Sequence, residues 1–268
     1  MKKILCSLFA LGLLATAQDA PVPPEKAPEK PKIPQYVLDL QSLTKEDGKK
    51  YRENFLRADS LFKQKRIFEC LEAIEDVHQI YEGNPSSLNL KGACYVEFRS
   101  FEKARIAFAK ASAANPGNFN VRFNLAEIEF VTKNYKEALK LLNELATEAG
   151  ENKATAAMLP LVSFKVLLCK LKTDDEAGAR AIIAKSDFLD DSPLFYYGNA
   201  ALEYFAEKGP EAEIWLSRAG RIFRNANIIA PWQDTLIEFG YIESFYGGDL
   251  EVPGNTSGGN TSGGNTGD

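Results

Sequence analysis

The sequence predicts an all-α solenoid of about five helix pairs followed by a C-terminal capping helix. Three observations carry this expectation. Small residues recur 34 positions apart at Cys70, Ala104 and Ala138, each flanked by the same apolar pattern, and such a period marks stacked supersecondary units. Apolar residues keep helical spacing, in Phe101, Ala104, Ala107, Phe108 and Ala111 and again in Tyr135, Ala138, Leu139, Leu142 and Leu145. No segment of useful length alternates with period two, so strands are not expected.

The best-marked unit holds Leu88, Gly92, Tyr95, Ala104, Phe108, Ala111 and Pro116. Gly92 and Ala104 let two helices approach closely, and the bulky positions fill the space around them. This spacing resembles the tetratricopeptide repeat, W-x2-L-G-x2-Y…A-x3-F…P. Leu88 replaces the Trp, and Lys91 stands where the first-helix Leu is expected. The resemblance runs over residues 44–246 and implies a right-handed solenoid.

The remaining elements follow in register. One unit earlier, Ala58, Leu61, Cys70 and Ile74 match Gly92, Tyr95, Ala104 and Phe108. Thr44 with Asp47 is expected to cap the first long helix. One unit later come Leu125, Ala126, Ala138 and Leu142, after a break at Asn115-Pro116-Gly117. Two weaker units place Ala177 39 residues beyond Ala138, and Ala212 35 beyond Ala177. The five extra residues are assigned to Ala149–Thr155, with Gly150 ending a helix in a left-handed turn. Lys165 takes the small slot of the fourth unit and Pro160 its first turn, so this unit is expected to be irregular. Pro231 is expected to start the capping helix, which runs through Leu236, Phe239 and Ile242.

The ends read differently. Lys2 and Lys3, the apolar run Ile4–Leu14 and Ala15-Thr16-Ala17 have the form of a signal peptide over residues 1–17, cleaved before Gln18. An uncleaved anchor is the alternative; the run is too short for a span, which needs about 20 residues. Residues 18–35 are assigned to a Pro-rich linker, of which Asp19–Pro34 could extend about 50 Å as polyproline II. The solenoid is assigned to 36–248. The tail, 249–268, repeats Asn-Thr-Ser-Gly-Gly and is expected to be disordered. Export, to a bacterial periplasm, is the expected localisation, with no membrane insertion once the signal is removed. The mature chain would carry 30 basic and 37 acidic residues, a balance that argues against nucleic acid. Cys70, Cys94 and Cys169 remain after cleavage. They read as small buried helix residues, with a Cys70–Cys94 bridge as the alternative.

Catalytic constellations are sparse. The single histidine, His78, lies on a predicted second helix, and no Cys-x2-Cys pair, His-x3-His pair or Gly-x-Ser-x-Gly elbow occurs. No cofactor or metal is expected, and the chain reads as non-catalytic. The resemblance implies a groove lined by the first helices, where partner segments bind. Projecting the stripe three before, one after and four after each small slot gives Phe55, Asp59 and Phe62 in the first unit. The second unit gives Asn89, Ala93 and Val96, and the third Phe123, Glu127 and Phe130. The fourth gives Val162, Val166 and Cys169, and the fifth Tyr197, Ala201 and Tyr204. The candidate partner-binding residues are Phe55, Asp59, Phe62, Asn89, Phe123, Glu127, Phe130, Tyr197 and Tyr204, and packing of some of them against neighbouring helices is the alternative. A clamp for a terminal carboxylate would need Lys, Arg and Asn here, and only Asn89 fits. The function these features imply is a scaffold or adaptor that binds a protein or peptide in the cell envelope. Two rivals stand beside it: a carboxylate-based envelope glycan hydrolase on a helical fold, and a self-assembling structural module.

Overall fold

The computed structural model describes residues 33–242. The expected signal peptide (1–17), most of the expected Pro-rich linker (18–35) and the tail (249–268) lie outside the described residues. A short helix, α1 (Gln35–Ser42), comes first and buries none of its residues. Sequence reading missed it. Tyr81 holds it to the rest by donating to Asp39 Oδ2 at 2.8 Å.

Five helix pairs follow. They are α2 (Lys45–Lys63) with α3 (Ile67–Ile80), α4 (Pro85–Glu97) with α5 (Phe101–Ala114), and α6 (Phe119–Val131) with α7 (Tyr135–Glu151). Then come α8 (Leu159–Lys172) with α9 (Glu176–Ile183), α10 (Leu194–Phe205) with α11 (Gly209–Ile222), and a last helix, α12 (Ala226–Phe239). From α2 to α11 each helix packs on the next, within pairs and between them.

Local chemistry sets the starts. Thr44, Asn84, Asn118 and Asn225 each accept a backbone N–H at the head of α2, α4, α6 and α12, satisfying a donor that the helix leaves free. Pro85 follows its cap at the first helical position, where no N–H is needed.

Every pair turns in the same way. Lys65, Arg99, Lys133, Asp174 and Glu207, one per unit, lie in the left-handed region at φ 52 to 64°. The next residue in each turn, Arg66, Ser100, Asn134, Asp175 or Lys208, donates its N–H to the carbonyl five back, at 2.8 to 2.9 Å. Counting seven back from each left-handed residue gives the small slot of the first helix: Ala58, Gly92, Ala126, Leu167 and Ala200. Counting five forward gives the second-helix slot: Cys70, Ala104, Ala138, Ala179 and Ala212. Nine of these ten show no exposed surface, and the tenth, Gly92, is buried as well. A Cβ on Gly92 would stand 2.4 Å from the Phe108 ring, so helix contact there depends on its absence.

The fourth unit corrects the expected register. Its first-helix slot is Leu167, not Lys165, and its second-helix slot is Ala179, since Ala177 is exposed. A leucine between helices needs room elsewhere, and Gly198 on α10 supplies it. A Cβ on Gly198 would lie 2.0 Å from Ile183 Cδ1 and 3.4 Å from Leu167 Cδ1. Gly150 does not end a helix in a left-handed turn: α7 runs on to Glu151, and Asn152 stops it in extended geometry. Pro160 does sit in the first turn of α8. Pro231 does not start the last helix, which begins at Ala226 and carries the proline inside it. Cys70, Cys94 and Cys169 are buried free thiols. The Cys70 and Cys94 sulfurs touch at 3.3 Å without a bond.

Candidate functional site

The face built by the first helices divides into an open part and a covered part. α12 makes the division. Its main neighbours are α8 and α6, so it folds back over the first-helix face and does not extend the stack beyond α11.

Under α12 lies an aromatic bed. Phe239 stacks on Phe130 at 5.9 Å between ring centroids and meets Tyr135 edge-on at 5.5 Å. Trp232 packs on Phe164 at 5.2 Å and on Tyr197 at 5.7 Å. Tyr241, just past the helix, stacks on Tyr204 at 5.3 Å. Phe130 is 1% and Tyr197 2% exposed, so both candidate anchors are already occupied by the chain itself. Phe123 is half-buried and packs against the same core. In the fourth unit the two-residue correction replaces Val162, Val166 and Cys169 by Phe164, Leu168 and Leu171, all buried.

A charge sits in the middle of this bed. Lys165 Nζ lies 2.9 Å from Glu127 Oε2, donates to Thr235 Oγ1 of α12 at 2.9 Å, and stands 4.7 Å from the Phe130 ring centroid. Its side chain is 5% exposed. Hydrogen bonds and an opposite charge are what make such burial tolerable. Glu127, projected to meet a partner's basic residue, meets Lys165 instead. Its second oxygen, Oε1, is buried and has no partner among the described residues. Beside the pair, burial pushes the Cys169 thiol up to about 12, which makes it an inert filler and a poor nucleophile.

The first two units are open. Phe55, Asp59, Phe62 and Lys63 of α2 face Asn89, Leu90 and Ala93 of α4, with Asn118 and Asn120 closing the far side. Phe55 and Phe62 are half-buried. Asp59 pairs with Lys63 at 2.5 Å. Asn124 donates to Asn89 Oδ1 at 2.8 Å, and Val121 N–H donates to Asn118 Oδ1 at 3.2 Å. Both contacts use the carbonyl side of the amide, leaving each NH2 without a protein acceptor among the described residues. The groove therefore offers two aromatic surfaces, a carboxylate and unspent amide donors. Of the projected residues, Phe55, Asp59, Phe62 and Asn89 line this groove; Asn118 and Asn120, which the projection did not include, sit at and just beyond the cap of α6.

Other chemistry is thin. His78 Nε2 lies 3.1 Å from Ser87 Oγ, and Nδ1 is buried without a partner. No group of three metal-ligating side chains occurs among the described residues, and none of their helices is long and apolar enough to cross a membrane.

Known proteins agree with this geometry. The family model described as tetratricopeptide repeat matches residues 95–159, from the second unit to the head of α8. No curated protein matches the chain. Among solved structures, residues 41 to the end of MamA from Desulfovibrio magneticus RS-1 are 14% identical with a TM-score of 0.53, over 65% of this chain and 96% of that one. A tetratricopeptide repeat protein from Parabacteroides merdae ATCC 43184 is 16% identical with a TM-score of 0.53, over 72% of this chain and 75% of the other. PilF of Pseudomonas aeruginosa is 16% identical with a TM-score of 0.52, over 77% and 96%. At these identities the likeness is one of fold. The matched repeat lies at the centre of five units that share one backbone turn and one small-residue register, so residues 95–159 are similar to the tetratricopeptide repeat and the chain has the fold of a tetratricopeptide-repeat solenoid.

Proposed function

We propose that this protein is a non-catalytic scaffold of the cell envelope that holds an extended segment of a partner protein in the groove of its first two units. The fold supports protein binding as the function class. The single observation that carries the finer reading is the uncovered groove itself, with Phe55 and Phe62 on one wall and Asn89, Asn118 and Asn120 on the other. Aromatic walls bury large area with few rotors to freeze, and free amide donors suit the carbonyls of an extended backbone. Asp59 between the two rings favours a basic residue flanked by apolar ones. The envelope assignment rests on the signal-like residues 1–17.

Affinity capture from envelope extracts tests the reading. Phe55→Ala and Phe62→Ala should each weaken binding of the captured partner by about 1–3 kcal/mol, the usual range for interface anchors, with helicity retained. If both variants fold and bind the partner as tightly as wild type, this groove is not the site. Phe130 cannot serve in this test. At 1% exposure its truncation would cost about 3–5 kcal/mol of stability and would report on the fold.

A further inference from the structure

α12 meets the first-helix face along one stripe. Its buried residues are Trp232, Thr235, Leu236 and Phe239, spaced i, i+3, i+4, i+7, which is how amphipathic helices anchor in hydrophobic grooves. The bed beneath them, with Phe130, Phe164 and Tyr197, comes from the first helices of the third, fourth and fifth units. The last helix thus occupies half of the groove in the manner of a ligand.

Three features mark this occupant as exchangeable. Only residues 223–225 join it to α11. Its outward residues Ala226, Asn227, Ile228 and Asp234 are exposed, and among the described residues no further element covers it, the Arg99–Glu238 ion pair at 2.9 Å being a tie at its edge. The bed carries a polar centre that an all-apolar cap would not need: Lys165, Glu127 and the unpartnered Glu127 Oε1. Water reaching that pair when α12 leaves would offset part of the lost aromatic contact, because burial is what penalises it.

We propose that the face of α6, α8 and α10 is a second interaction surface, which receives an amphipathic helix of a partner protein, and that α12 is its resident stand-in. The partner's pattern follows from the bed: aromatic at i and i+7, aliphatic at i+4, and a carboxamide at i+3. A carboxamide accepts from Lys165 and donates to Glu127 Oε1, where Thr235 serves only the first. An acid at i+3 is disfavoured by Glu127. This surface shares no residue with the open groove of the first two units, so the two readings stand or fall separately.

The test uses the full chain and a labelled peptide of residues 225–242, followed by fluorescence anisotropy. Trp232→Ala/Phe239→Ala, which frees the bed, should bind the peptide at least tenfold more tightly than wild type. A peptide with Thr235→Gln should bind more tightly than its parent, and one with Thr235→Glu at least threefold more weakly. A folded double variant that binds no peptide, or a tighter Glu peptide, overturns the proposal. Hydrogen exchange on wild type covers the case of a double variant that does not fold. α12 amides should exchange at least tenfold faster than those of α8, and equal protection makes α12 a permanent part of the core. A wild-type dimer that disappears in the double variant would put a second copy's α12 on the bed, which defeats the assignment to a different protein.

Discussion

At the scale of single residues, the buried polar groups of this solenoid have specific partners or a measurable consequence. His78 is the only histidine in the chain, so it isolates a pH effect that most proteins blur. Its pKa lies below the ordinary imidazole value of 6.5, chiefly through burial, with Lys91 and Lys110 adding to the depression against Glu75 and Glu82. The unfolded chain therefore takes up the proton first. Stability is fully present above about pH 6.5 and falls as the pH drops through the folded pKa. Urea midpoints measured from pH 7.5 down to 5 should decline in wild type, and His78→Gln should flatten that decline. An equal decline in the variant would assign the effect to carboxylates. Tyr81 shows the opposite displacement, to about 12, because burial and its bond to Asp39 both favour the neutral phenol. It stays a donor through the whole working range and keeps α1 attached.

At the scale of elements, the turn inside each pair is the unit's most regular feature and the least visible in the sequence. Five non-glycine residues take φ near 60°, a conformation that costs an L-residue about 1–2 kcal/mol. Lys133 is exposed, has no ion pair among the described residues, and bears that cost at 64°. Lys133→Gly should therefore stabilise the protein by about 0.5–1 kcal/mol, after the extra freedom of glycine in the unfolded chain is subtracted. A thermal midpoint that falls in the variant would refute a strained turn. What the sequence made legible follows the same physics. Cys70, Ala104 and Ala138 betrayed the repeat because a small side chain is a steric requirement between closely packed helices. The fourth unit escaped because its slot holds Leu167, and the glycine that makes room for it lies in the next unit, beyond the reach of spacing. A local signal did exist: Asp175 caps Gly178 N–H at 2.9 Å and stands where Ser100 and Asn134 stand in their units, fixing the slot eight residues before it. Pro231 misled because proline favours a helix start, whereas the Asn225 cap six residues earlier set the true one. The site divided the same way. The first-helix stripe placed Phe55, Phe62 and Asn89 on the open groove, but amphipathic periodicity shows only that α12 has an apolar face, not which surface that face covers.

At the scale of the molecule, the core is uneven along the stack. One large cluster joins the third to fifth units with α12, from Phe119 to Phe239. The first unit shares a separate, smaller cluster with α4. Two groups of three buried residues bridge the interval, Leu88 with Ala111 and Val121, and Ala104 with Phe108 and Ile128. Repeat arrays sum the stability of each unit and of its contacts with its neighbours. Here α12 adds an aromatic tie across the last three units, whereas it reaches the second unit through the Arg99–Glu238 ion pair at 2.9 Å. The C-terminal block should therefore unfold as one body, at higher denaturant than the N-terminal units. The chain contains its own reporter: both tryptophans, Trp215 and Trp232, belong to or pack on the large cluster. Tryptophan fluorescence reads that block alone, whereas far-UV circular dichroism reads every helix. In urea, the dichroism signal should begin to fall before the fluorescence signal moves, with a lower apparent midpoint. Phe239→Ala, which removes a 5%-exposed ring from the tie, should cost about 3–5 kcal/mol and pull the fluorescence midpoint down toward the other. Coincident transitions in wild type would mean a single cooperative unit, and the tie through α12 would then not set the order of unfolding.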